Sequence, residues 1–200
     1  MLRAVESRLE GIRFELREYA AGAGEYVRSS EPLPEGTWEA CRRADAILLG
    51  AMGLPEVRRP GGTEIAPQLD LREKLELYCG LRPARLYHRH DTPLKSYGAG
   101  EIDFAIVREN TEGLFWSRQG RFEPGAAEVI DSLRISRAGS ERLFRAAFRE
   151  ASHRRGLVTL ADKSNVLPSM WFFRGIFDEV SREFPAVRAE KIYVDAAALY

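Results

Sequence analysis

The stretch Leu157-Val158-Thr159-Leu160-Ala161-Asp162-Lys163-Ser164-Asn165-Val166-Leu167 decides how this chain is read. Residues 157–161 are a short apolar run of strand length, and charged and amide side chains follow at once. Just before it, residues 138–155 place Leu143, Ala146, Ala147 and Phe148 on one face of an amphipathic helix. Just after it, residues 168–183 make a helix rich in aromatics (Trp171, Phe172, Phe173, Phe177), and residues 191–195 make another strand. A helix between two short apolar strands predicts a parallel crossover. Ligands of such sheets gather beyond the carboxyl ends of the strands, where Lys163, Asn165 and Asp195 fall.

The alternation continues outward. Residues 1–10 have helical spacing and stop at Gly11, and residues 12–19 alternate apolar and charged side chains as a half-buried strand does. Residues 34–44 predict a helix, and residues 45–50 a buried strand of the parallel-sheet kind. A loop rich in glycine and proline runs to Thr63, and a helix follows at 68–79. Strands come next at 82–88 and 103–109, and residues 115–135 predict a hairpin arm. The expected fold is α/β, with a mostly parallel sheet flanked by helices.

Composition excludes several classes. The 200 residues are 44% hydrophobic and 30% charged with zero formal net charge, so a globular core is affordable and no nucleic-acid footprint exists. No apolar run approaches the roughly 18 residues that span a bilayer, so no membrane role is expected. Cys41 and Cys79 form no metal or disulfide pattern, which makes a reducing cytoplasm the expected compartment.

Position at a strand end does not assign chemistry, and each candidate has a plainer role. Arg72 and Arg82 bracket a helix as surface arginines do. Arg108 has Glu109 and Glu112 at hand for a buried ion pair, and Lys163 has Asp162. Asp195 is placed to cap a helix starting at Ala196. His88 and His90 share a strand face but lack a third metal ligand nearby.

Taken together, four motifs in order resemble one family. They are Leu71-Arg72 through Gly80-Leu81-Arg82-Pro83, Val107-Arg108-Glu109-Asn110-Thr111-Glu112-Gly113, Asp162-Lys163-Ser164-Asn165-Val166-Leu167 and Tyr193-Val194-Asp195-Ala196. The family is the β-decarboxylating dehydrogenases acting on isocitrate, 3-isopropylmalate and tartrate or malate. The resemblance implies an isopropylmalate-dehydrogenase-like fold, with residues 1–85 part of a large cofactor-side domain. Residues 86–200 would be a smaller substrate and dimerisation domain.

It also implies roles. Arg72, Arg82 and Arg108 match arginines that hold a malate-like 2-hydroxy acid, a task suited to the planar guanidinium fork. Lys163 matches the catalytic lysine that helps deprotonate the C2 hydroxyl, and Asn165 a contact to the nicotinamide of NAD or NADP. Asp195 matches one ligand of a substrate-bound Mg²⁺ or Mn²⁺ ion. Gly50, Gly53 and Thr63 fall in the loop bordering the cofactor. The family arrangement implies a homodimer with shared active sites, in which residues 115–135 are an intersubunit arm. Lys163 and Asp195 would then serve the neighbour's arginines.

The departures are as specific. Phe115 stands where the family carries a tyrosine that protonates the enolate, and it has no proton to give. Relatives begin with a Gly-Asp-Gly-Ile-Gly-Pro-Glu turn and continue to further metal aspartates, so the chain reads as incomplete at both ends. Residues 65–70 (Ile-Ala-Pro-Gln-Leu-Asp) match neither the isocitrate nor the isopropylmalate pattern for the C3 group, which leaves a malate- or tartrate-like acid. The alternative expectation is a non-catalytic truncated paralogue that pairs with a complete subunit.

Overall fold

The computed structural model describes residues 2–118, 120 and 125–199. The chain divides into two compact units, residues 1–70 and 71–200.

The first unit holds three short helices, α1 (Leu2–Glu6), α2 (Ala23–Ser29) and α3 (Glu35–Arg43), and the start of α4 (Pro67–Lys74). The strands expected at 12–19 and 45–50 do not form among the described residues, because extended backbone becomes a strand only when it finds a partner. Around residue 14 the backbone is engaged by α1 side chains instead: the Phe14 amide donates to Glu6 at 2.7 Å, and its carbonyl accepts from Arg3 at 2.7 Å. In the second run Leu48 is exposed, so that segment is not buried on both faces. Helix α2 was not legible because Gly22 and Gly24 interrupt its start. Gly22 takes a φ of 102°, and a Cβ there would meet the Met52 carbonyl oxygen at 2.7 Å.

Among the described residues, the four strands all lie in the second unit. β1 (Cys79–Arg85) pairs antiparallel with β2 (Asp103–Glu109), and β3 (Leu157–Asp162) pairs parallel with β4 (Arg188–Tyr193). The fold is α/β, and the crossover from β3 to β4 runs through α6 (Pro168–Ser181) as the sequence predicts. Helix α4 is shorter than the expected 68–79. The Leu77 amide turns back onto the Arg72 carbonyl at 2.8 Å, Glu76 takes a positive φ of 50°, and β1 begins three residues early. The turn α7 (Val194–Ala197) likewise begins where the last strand was expected to continue. Of the expected 115–135 arm, residues 119 and 121–124 lie outside the described residues. The remainder closes through an antiparallel bridge between Gly113 and Arg134 and hydrogen bonds between Ser117 and Ser132.

The core lies between α5 (Arg137–Ser152), α6 and β3. Phe144, Phe148 and Ala151 on α5 pack with Ile176, Phe177 and Val180 on α6, above Leu160 and Val187. Ala146 and Ala147, expected on the buried face, are only half-buried, while Phe144 takes the inner position. The Phe144 and Phe177 rings meet edge to face at 5.3 Å, and Phe148 stacks on Phe184 at 5.3 Å, geometries that favour aromatic pairs. Trp171 and Phe172 face outward instead, with Trp171 66% exposed.

Phe177 is fully enclosed, so Phe177→Ala should cost ~3–5 kcal/mol through lost burial and a residual cavity. Urea unfolding followed by circular dichroism checks this, and a loss below ~1 kcal/mol would contradict the packing described.

Candidate active site

Three arginines converge in the second unit. α4 supplies Arg72 and β1 supplies Arg82, while Arg108 lies near the end of β2. In the antiparallel register Arg108 opposes Gly80, and Arg82 opposes Ile106, so Arg82 and Arg108 share one face of the ribbon. Burial, and then the charges of Arg82 and Arg72, push the Arg108 guanidinium below its ordinary pKa. No ion pair to any of the three is found among the described residues; Arg82 is exposed, as a surface arginine is, while Arg72 and Arg108 are half-buried. Nor does Arg108 pair with Glu109 or Glu112. One Glu109 oxygen accepts from the Thr111 amide and hydroxyl, both at 2.6 Å, and Glu112 accepts from the Ser136 amide (2.9 Å) and hydroxyl (2.5 Å) beside the start of α5.

Phe115 is part of this group. The Arg108 guanidinium lies over its ring at 5.1 Å, a cation–π contact, and the ring also lines a cavity of about 550 Å³ with Glu109, Glu112, Gly113, Leu114 and Leu133.

A second group sits at the carboxyl ends of β3 and β4. Lys163 does not pair with Asp162. Its Nζ meets Asp195 at 2.9 Å, and the lysine holds the Asp195 carboxyl below the usual range. Asp162 is fully enclosed and takes a two-point contact from Arg174 on α6, at 2.8 and 2.9 Å, plus the Ser164 amide at 2.9 Å. Burial alone would raise its pKa, but those donors outweigh it and the net direction is down. Arg174 also stacks over Tyr193 at 5.2 Å, tying the ends of both strands together. Asp195 lies within the first turn of α7 and is not its cap, a position held by Tyr193. Asn165 is exposed next to this group.

No hydrogen bond, ion pair or ring contact among the described residues joins the arginine group to the Lys163–Asp195 pair. Gly53 and Thr63 are exposed residues of the first unit. The His88 and His90 rings stack at 5.4 Å, but among the described residues no three His, Cys, Asp or Glu side chains converge to hold a metal. Asp195 is therefore a single candidate oxygen ligand, and the described residues do not form a complete Mg²⁺ or Mn²⁺ site. Sequence reasoning missed Arg174, whose only signal is a lone arginine on the apolar helix α6.

The class is an α/β protein with a lysine–aspartate pair at one set of strand ends and, apart from it, two arginines on a strand ribbon joined by a third from α4. The comparisons with known proteins narrow the class: the whole chain, residues 1–200, belongs to the isocitrate/isopropylmalate dehydrogenase family. It is 37% identical to the 3-isopropylmalate dehydrogenase of Priestia megaterium, covering 100% of this chain and 55% of that protein. It is likewise 37% identical to the 3-isopropylmalate dehydrogenase of Bacillus subtilis, covering 93% and 53%. Among solved structures it resembles the isocitrate dehydrogenase of Methylococcus capsulatus, with a TM-score of 0.76 and 25% identity over 99% of this chain and 56% of that one. A β-decarboxylating dehydrogenase of Thermococcus kodakarensis gives 0.68 and 30%, over 99% and 54%. The chain spans about half the length of the curated relatives it matches. Among the described residues no helix is long and apolar enough to cross a membrane.

The depressed Asp162 carboxyl makes stability depend on acid. A lowered folded-state pKa contributes stability that is present above the unfolded value of about 3.9 and is lost as pH falls through the folded value. Asp162→Asn should therefore be less stable than the wild type at pH 7. The difference should narrow as pH drops below about 4, which urea titrations across that range measure; a constant gap would contradict the assignment.

Proposed function

We propose that this chain carries the substrate-binding and base-bearing parts of a metal- and NAD(P)-dependent dehydrogenase that oxidises a malate-like 2-hydroxy acid, with decarboxylation. The observation that carries the reading is the convergence of Arg72, Arg82 and Arg108 without an ion-pair partner among the described residues. Such a group favours a ligand with more than one carboxylate, and paired guanidinium forks fix its orientation. Lys163 would take the proton from the C2 hydroxyl, and Asn165 would meet the nicotinamide end of the cofactor, which when bound supplies the hydride acceptor. Gly53 and Thr63 are assigned to the cofactor side, with residues 1–85 as the cofactor-side domain and 86–200 as the substrate and dimerisation domain. Asp195 is assigned as one ligand of Mg²⁺ or Mn²⁺, its remaining oxygens coming from outside the described residues.

The C3 group is proposed to be small or polar. Gln68, one turn ahead of Arg72 on α4, has a buried Oε1 without a hydrogen-bond partner among the described residues. A donor on C3 could pair with that oxygen, which an isopropyl group cannot do, a difference of ~1–3 kcal/mol. The purified chain should therefore prefer malate or tartrate to 3-isopropylmalate by about 10-fold or more in kcat/KM. A preference for 3-isopropylmalate would sink this substrate assignment. Lys163→Met should lower kcat about 10²–10⁴-fold, the usual worth of a positioned base.

Phe115 favours a second reading. With a phenyl ring on Arg108 where a proton donor is expected, the chain would be a slow decarboxylase, or a non-catalytic chain that pairs with a complete subunit. Phe115→Tyr should raise the ratio of decarboxylated product about 10²-fold in the first case. Absence of turnover by wild type and variant alike would favour the second.

A homodimer with shared sites is also proposed. In support, no contact among the described residues joins Lys163 and Asp195 to the arginines, and Trp171 and Phe172 leave an apolar surface on α6. Light scattering should give twice the chain mass, and Trp171→Glu should shift it to the monomer. A monomeric wild type at micromolar concentration would overturn the proposal.

A further inference from the structure

We infer that Asn110 is the positioning residue that aims Arg108, and that Gly80 is glycine in order to leave room for it. The inference rests on the proposed reading of Arg108 as a carboxylate-binding residue. The Arg108 guanidinium has five donors and no bound carboxylate. Its Nε and one terminal nitrogen donate to the Asn110 Oδ1 at 3.3 and 3.2 Å. Two donors on one acceptor fix the plane of the guanidinium, and the Phe115 ring at 5.1 Å covers its face. An amide does this without neutralising the charge, whereas a carboxylate in the same place would pair with Arg108 and withdraw it from any ligand.

Asn110 is itself held in place. Its backbone amide donates to the Tyr78 carbonyl at 2.9 Å, extending the β1–β2 ladder by one bond. Its side chain folds back across the ribbon into the space opposite Arg108, where the partner residue in register is Gly80. A Cβ at Gly80 would lie 2.5 Å from the Asn110 Nδ2 and 2.9 Å from its Oδ1. Gly80 has an ordinary strand backbone with no positive φ, so conformation does not require glycine there. The space does. One vacant Cβ, one amide and one guanidinium thus form a chain across the ribbon, on the face that also carries Arg82.

This geometry makes a prediction that a merely structural asparagine would not. Asn110→Ala frees the Arg108 fork and should weaken malate binding to the full chain about 10-fold, the scale of a hydrogen bond to a charged group. Gly80→Ala, which touches no arginine, should weaken it by a similar factor because it displaces the same amide. The double variant should bind no worse than Asn110→Ala alone, since the added methyl then has nothing to displace. Isothermal titration with L-malate and D-malate reads all four proteins, with dimethyl malate as the uncharged control and Arg108→Met to report loss of the site. Circular dichroism melts run on the same samples score folding separately.

The expected pattern, two similar losses that do not add, supports the inference. Wild-type affinity in Asn110→Ala, with binding still abolished in Arg108→Met, overturns the inference and leaves the carboxylate reading standing. Additive losses also overturn it. If the wild-type chain binds neither malate at millimolar concentration, the carboxylate reading falls and the inference falls with it.

Discussion

The buried carboxylate of Asp162 is the interaction on which the β3–β4 half of the molecule turns. Its side chain has no exposure, so water cannot stabilise its charge, and removing the compensating donor would cost ~3–5 kcal/mol. The donor is Arg174, which reaches down from α6 with its Nε and a terminal nitrogen. Because α6 is the crossover between β3 and β4, this contact fixes the helix against the end of the strand that precedes it. The same guanidinium stacks on Tyr193 at the end of β4. One side chain therefore sets where both strands stop, and so where Lys163 and Asp195 stand.

The arginine group imposes the opposite constraint. At the β3–β4 end each charge has a partner, Asp162 with Arg174 and Lys163 with Asp195. Arg82 and Arg108 on the β1–β2 ribbon and Arg72 on α4 gather without an ion pair among the described residues. Like charges at such a site oppose the folded state, and burial adds to the cost at Arg108. Packing recovers some of it: Phe115 covers the Arg108 face, and the Asn110 amide takes two of its donors without removing its charge. The carboxylates that would neutralise Arg108 are turned away by other donors. Glu109 is committed to Thr111, and Glu112 to Ser136 at the start of α5. With these acids directed elsewhere, the Arg108 charge is left unneutralised among the described residues.

The sequence made the helices and strands of the second unit legible because each has a period and a stop. Leu157-Val158-Thr159-Leu160 and Phe104-Ala105-Ile106-Val107 read as strands and are strands. It failed at 12–19 and 45–50 for a physical reason: side-chain alternation reports which face is apolar, while strand formation needs a hydrogen-bonding partner that no local pattern names. Site residues were legible only as motifs. Arg108 beside Glu109 reads as an ion pair, and only the third dimension places Glu109 against Thr111 and brings Arg72 and Arg82 to Arg108. Arg174 left no local signal, since its meaning comes from a buried aspartate twelve residues back. Gly80 and Asn110 sat in plain view without their contact, because no local pattern names the residue that lies opposite across the ribbon.

The two halves also differ in what they require of their surroundings. Lys163 and Asp195 satisfy each other at 2.9 Å, so that pair is stable with or without a ligand, and anything drawing on either charge must first compete with the other. The arginine trio has no ion pair among the described residues, so on the proposed reading it gains most from an incoming dianion. On the proposed reading, ligand affinity would reside with the arginines and reactivity at the strand ends, where breaking an existing pair is the entry cost. An exposed ion pair is worth little, about 0–1 kcal/mol, so that cost is small against what several guanidinium–carboxylate contacts return.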